Sequence, residues 1–210
     1  MSTHPLGAVL TPAQGKIMPP GSVWCADNGC GPGVNGIGGG YPGDHEYLGW
    51  LQDMAAAEGA DPCDPDTSGC LFAVAPDVVA DAPATLHRQR VLGALDWIRY
   101  IGLPAAFVIQ DGQEHLPLPW YDFDAMFIGG STEWKLGPHA RALVTEARGR
   151  GKWVHMGRVN SLRRLDYARA IGCDSADGTY LTYGPDINLP KLLGWLRAVN
   201  DQAELFQVAN

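Results

Sequence analysis

The sequence has no long apolar run. No stretch of its 210 residues reaches the ~20 apolar residues of a membrane-spanning helix. The opening MSTHPLGAVLTP also lacks the basic and apolar segments of a secretory leader. The expectation is a cytoplasmic chain with no membrane partner. Positive charge is scarce as well: 15 Lys and Arg stand against 23 Asp and Glu, a net charge of −8, which argues against indiscriminate nucleic-acid binding. Cysteine is sparse and odd in number, five in all. Neither Cys25 with Cys30 nor Cys63 with Cys70 has metal-ligand spacing and a histidine partner. Reduced thiols are therefore expected, with no structural metal and no disulfide framework.

Glycine (27) and proline (16) are plentiful beside 46% hydrophobic and 18% charged residues. That composition belongs to a globular chain with long loops, and the length suits one domain over 1–210. The positive charge is concentrated. From Lys135 to Arg169 nine basic residues face two acidic ones, a net +7 inside a chain of −8, so the remainder carries −15. A basic face of this kind is compatible with a phosphate backbone docking on one side; solvated outer helix faces would give the same count.

Apolar runs alternate with helical periodicity along the chain. Strands are expected at 8–10, 23–27, 71–75, 105–109, 125–128, 153–156 and 173–176. Helices are expected at 44–58, 81–101, 138–148, after an Asn160 cap, and at 188–206, each with apolar residues at i, i+3 or i+4. Strand runs apolar on both faces and separated by amphipathic helices imply a mostly parallel sheet in an α/β fold. A reduced or irregular TIM-like (β/α) barrel accounts for the pattern best, with a doubly wound open sheet as the alternative. The stretch 28–43 holds eight glycines in sixteen residues and reads as a mobile loop over the site. Its GPGVNG matches the dinucleotide fingerprint formally, but no helix follows directly.

Functional residues of such barrels sit at the carboxyl ends of the strands. Those ends offer Asp27, Asp77, Gln110, Gly129 with Gly130, Met156 with Gly157, and the acids Asp174 and Asp177. Asp174 and Asp177 lie three apart, so on one continuous strand they would face opposite sides. His155 reads as a packed, hydrogen-bonded ring, and Glu133-Trp134-Lys135 as cavity rim or ordinary loop.

These segments resemble the tRNA-guanine transglycosylases and their phage and bacterial relatives that exchange guanine for a 7-deazaguanine in DNA. VWCADNGC looks like that family's strand ending in Asp-Ser-Gly-Gly, FAVAPDVV like its purine-gripping strand, FVIQDG like Val-Gln-Gly-Gly, and FIGGSTE like Gly-Gly-Leu-Ala. HMGRVNSLRRLDYARAIGCDSADG is similar to a Met-Gly-Val-Gly segment followed by a helix and Gly-Ile-Asp-Xaa-Phe-Asp. The matches run in order from residue 23 to residue 178. The resemblance implies Asp177 as nucleophile and Asp27 as acid/base. It implies Asp77, Gln110, Gly129 and Gly130 around the purine, Met156 packed on the base, and Asp174 beside the site as a rival to Asp177.

Gly31 stands where the family has its stacking aromatic, leaving Tyr41 or Trp50 for that part. The Cys-rich zinc module and the RNA-docking extension have no counterpart, which favours DNA over tRNA. Arg158, Arg163 and Arg164 would meet the nucleic acid. The implied activity is exchange of guanine in DNA for a 7-deazaguanine through a covalent glycosyl intermediate, without cofactor. A tRNA enzyme of reduced size and a non-catalytic purine-binding barrel remain alternatives. The partners implied are DNA or tRNA and a free 7-deazaguanine, in the host cytoplasm if the gene is a phage's; a homodimer is compatible with this.

Overall fold

The computed structural model describes residues 6–14, 22–31 and 38–207. The first five residues, part of the stretch on which the leader reading rests, and the middle of the glycine-rich stretch lie outside these. Seven strands form one all-parallel sheet: β1 (Ala8–Leu10), β2 (Trp24–Ala26), β5 (Cys70–Val74), β6 (Ala105–Ile109), β7 (Ala125–Ile128), β8 (Trp153–Met156) and β9 (Ser175–Ala176). Their spatial order is their chain order, β1-β2-β5-β6-β7-β8-β9. The sheet curls, because β1 and β9, its two ends, line one common cavity. No ladder joins β1 to β9 among the described residues, and the sheet is a half-barrel rather than a closed cylinder.

Alternation along the strands splits the apolar residues into two layers. Trp24, Ala26, Ala73, Phe107, Ile109, Met126, Ile128, Val154 and Met156 pack in one cluster with residues from the helices. Cys25, Phe72, Val74, Ala106 and Val108, with Phe127 against them, form a smaller cluster on the other face. Side chains there are short apart from two phenylalanines, which suits the crowded concave side of a curled sheet. The register Phe107↔Met126 and Phe127↔His155 keeps like faces together across three strands.

Helix α1 (Asp44–Ala57) buries Tyr47, Leu51 and Met54 completely, each worth roughly 1.5–3 kcal/mol of apolar transfer. The Tyr47 hydroxyl donates to the Val74 carbonyl at 2.7 Å. A single helix was expected from Asp81 to Ile101. Instead α2 (Ala82–Leu92) and α3 (Ala94–Tyr100) meet at Gly93, whose φ of 59° ends the first helix in the left-handed region. Arg99 on α3 grips Asp124 with two nitrogens at 2.9 and 2.7 Å, and Asp124 also accepts the Ala105 amide, tying α3 to the entries of β6 and β7.

Helices α4 (Thr132–Lys135), α5 (Pro138–Gly149), α6 (Leu162–Ile171) and α7 (Pro185–Gln207) complete the chain. Ser161, not Asn160, caps α6 by accepting the Arg164 amide. The glycine-rich stretch is more ordered than expected at its edges. There β3 (Cys30–Gly31) and β4 (Gly38–Gly39) pair antiparallel. No helix among the described residues is long and apolar enough to cross a membrane.

Candidate active site

Six strands deliver residues from their carboxyl ends to one cavity of about 90 Å³. Asp27 and Asn28 follow β2, Asp77 follows β5, Gln110 follows β6, Gly129 and Gly130 follow β7, Gly157 and Arg158 follow β8, and Asp177 follows β9. Asp27 and Asp177, 150 positions apart, therefore face the same space.

The two acids live in opposite environments. Burial pushes the Asp27 carboxyl up to about 6, against a hydrogen bond from the Gly29 amide at 2.8 Å and with repulsion from Asp177 and Asp77. Burial also opposes ionisation of Asp177, but there the hydrogen bond from His155 Nε2 at 3.0 Å, the charge of that ring when it is protonated, the Arg158 amide and the Lys135 charge prevail and hold it below the ordinary carboxylate range. Two nearby carboxylates, one inclined to hold a proton and one ionised, are the arrangement that acid/base and nucleophilic roles require.

Asp77 is 5% exposed, and both its oxygens are engaged. Asn28 Nδ2 donates to Oδ1 and Gln110 Nε2 to Oδ2, each at 2.6 Å. Desolvation raises its pKa, opposed by Asn28, Arg88 and Gln110. Gln110 Oε1 accepts the amides of Gly130 at 2.6 Å and Ala80 at 2.9 Å. The Gly130 N–H expected to meet a ligand is therefore turned onto Gln110. Gly129 is required by space: a Cβ there would lie 2.7 Å from Gln110 Nε2 and 2.9 Å from Val108 Cγ1.

Arg158 occupies the left-handed region with φ 62°, a strained setting for a residue with a Cβ, and its guanidinium reaches across the mouth to the Gly130 carbonyl. Arg164 donates to the Arg158 carbonyl at 3.3 Å, whereas Arg163 lies exposed on α6. Lys135 is only 1% exposed and gives its Nζ to the Gly157 carbonyl at 2.6 Å. Burial, reinforced by Arg158, pushes it down to about 8.

Other expected residues lie elsewhere. Met156 packs in the cluster shared with the helices and does not line this cavity; strand parity turns His155 to the opposite face, where it borders a larger cavity and reaches Asp177. Asp174 precedes β9, binds Arg148 through Oδ1 and accepts the Val154 amide through Oδ2 at 2.8 Å. It borders a different cavity from the one Asp177 lines. Tyr41 and Trp50 pack against the helix-side cluster, and neither lines the cavity.

The residues that sequence reading missed are Asn28 and Ser175, which bonds His155 Nδ1 at 2.8 Å. Their only signal was polarity beside buried strands. The cavity that Asp174 borders is larger, about 430 Å³, and sits where β1 faces β9 under α6 and α7. It is mostly apolar, and the paired acids are not in it. Among the described residues no cluster of His, Cys, Asp and Glu is arranged to hold a metal ion. No family model matches the chain, and no curated protein matches it.

Proposed function

We propose that this chain is a pentosyltransferase that exchanges guanine in DNA for a 7-deazaguanine, built on a reduced (β/α) barrel. The observation that carries the reading is the pairing, at one cavity, of a carboxyl lifted to about 6 (Asp27) with a carboxylate held ionised (Asp177). A binding module has no use for two acids kept in opposite protonation states.

Asp177 attacks C1′ of the target nucleotide, and the bond from C1′ to guanine N9 breaks as the glycosyl ester forms. Asp27 gives its proton to the departing guanine and is left as a carboxylate. It then takes the N9 proton of the incoming 7-deazaguanine, whose nitrogen displaces Asp177 from C1′. Two inversions retain the anomer, and the Asp27 proton is restored. Asp77 retains unused lone pairs after accepting from Asn28 and Gln110, enough to take the guanine N1–H and 2-amino group. Gln110 must turn from Gly130 for that amide to meet O6.

Entry also needs Arg158 to leave the Gly130 carbonyl, since a cavity of about 90 Å³ is small beside a base and its sugar. Once released, Arg158 joins Arg164 and the exposed Arg163 on the phosphates, and the target nucleotide is taken out of the stack. The test is incorporation of labelled guanine into duplex DNA, single-stranded DNA and tRNA in separate reactions. Label in DNA that is lost in Asp177→Asn supports the reading. Label in tRNA alone transfers it to the RNA enzyme, and label in neither polymer with purine binding intact refutes turnover.

A further inference from the structure

His155 is 2% exposed. Its ring stacks on Phe127, with centroids 4.8 Å apart and planes at 30°, and meets the edge of Phe72 at 5.0 Å. Both nitrogens are used: Nδ1 lies 2.8 Å from Ser175 Oγ and Nε2 lies 3.0 Å from Asp177 Oδ1. A third bond narrows what Ser175 can do in this chain. Trp153 Nε1 sits 2.9 Å from the same Ser175 Oγ, and an indole nitrogen can only donate. Ser175 therefore accepts from Trp153 with one lone pair, and its single proton and second lone pair are left for His155. The Asp177 carboxylate facing Nε2 calls for a proton on that nitrogen, and a neutral ring then accepts the Ser175 proton at Nδ1.

We propose that Trp153 and Ser175 are positioning residues that lock His155 in its Nε2–H tautomer, so that Oδ1 of Asp177 is held and Oδ2 is the oxygen presented to the cavity. The catalytic consequence rests on Asp177 being the nucleophile; the tautomer does not. Among the described residues the hydrogen bond to Oδ2 is that of the Arg158 amide, at 3.4 Å, which leaves lone pairs for an incoming electrophile. The face of Phe127 and the edge contact with Phe72 resist the ring flip that would set carbon atoms against both partners. Ser175 and Trp153 border the large seam cavity and Asp177 borders the small one, so residues outside the reaction space orient a group inside it.

Imidazole 15N shifts in the full chain, assigned with His155→Gln, test this directly. The expected pattern is a pyrrole-type Nε2 and a pyridine-type Nδ1 in the wild type, becoming a tautomer mixture in Ser175→Ala and returning in Ser175→Thr. With exchange assayed in parallel, Ser175→Ala should lower kcat at least about tenfold with KM for the free base little changed, and Ser175→Thr should restore it. A merely structural Ser175 would lower Tm and leave the 15N pattern as it was. A ring protonated on both nitrogens between pH 6 and 8, or the opposite tautomer, overturns the proposal. Labelling of Ser175 by a fluorophosphonate also overturns it, since the serine would then be the nucleophile and Asp177 its orienter. The expected 15N pattern without any base exchange sinks the transglycosylase reading alone.

Discussion

Replacing Asp27 by Asn should make the protein more stable at pH 7.5 while removing its activity. The carboxyl rises from an ordinary 3.8 to about 6 on folding, chiefly through burial. Below pH 3.8 the group is protonated in both states and folding loses nothing by it. As pH climbs through about 6, the folded protein must ionise a buried acid that the unfolded chain ionised earlier, and stability is lost. At about 1.36 kcal/mol per pH unit the burden at pH 7.5 is about 3 kcal/mol. Asn keeps an oxygen for the Gly29 amide, now 2.8 Å from the Asp27 carboxylate, and its amide group faces the open cavity.

Urea denaturation of both proteins at pH 7.5 and pH 4 reads the difference, and comparing variants at one pH cancels most titration elsewhere. The expectation is a gain of about 2–3 kcal/mol at pH 7.5, or about 4–12 °C in Tm, shrinking towards zero at pH 4. A variant equal to or weaker than the wild type at pH 7.5 would refute the claim that this acid is held against its own preference.

Asp177→Asn should behave with the opposite sign. The folded protein holds that carboxyl below its ordinary range, so its ionised form stabilises the fold above the unfolded pKa. That contribution disappears as pH falls, so the variant should be weaker at pH 7.5 and converge with the wild type on acidification. Removing Arg158 or Arg164 by alanine should each lower the slope of log affinity for DNA against log salt by about 1; unchanged slopes would take both off the phosphates. Gly93→Ala meets no atom within 4 Å of its new methyl group yet sits at φ 59°. It should cost about 1–2 kcal/mol by urea denaturation, and a stabilised variant would contradict the left-handed joint between α2 and α3.

The strands were legible because parallel strands buried on both faces are short, continuous apolar runs: β1, β6, β7 and β8 fall where AVL, AAFVI, AMFI and WVHM stand. The same property hid parity. With Trp153, Val154, His155 and Met156 all suited to burial, nothing in the run says whether His155 or Met156 faces inward, and the resemblance favoured Met156. The helix expected over 81–101 spans Gly93, since the backbone angle there leaves no mark on the apolar spacing around it. The glycine-rich stretch concealed the hairpin of Cys30–Gly31 with Gly38–Gly39 for a related reason: two-residue strands of this composition carry no period.

The gathering of Asp27, Asp77, Gln110 and Asp177 was legible as a set of strand ends. The bonds joining Asn28 to Asp77 and Gln110 to Gly130 were not, because side-chain pairing across 20 to 49 positions depends on register and rotamer. Asp174 shows the same limit. Its proximity to Asp177 in sequence suggested a shared site, while its hydrogen bonds to Arg148 and Val154 tie it to the seam side.

Trapping the intermediate tests the central claim most directly. The protein is incubated with a guanine-containing DNA oligonucleotide without free base, quenched in acid and digested, and the peptide carrying residue 177 is weighed. The account predicts a deoxyribosyl adduct on Asp177, chased off by a 7-deazaguanine and absent in Asp177→Asn. An adduct on any other side chain, or released guanine with no adduct at all, would contradict it.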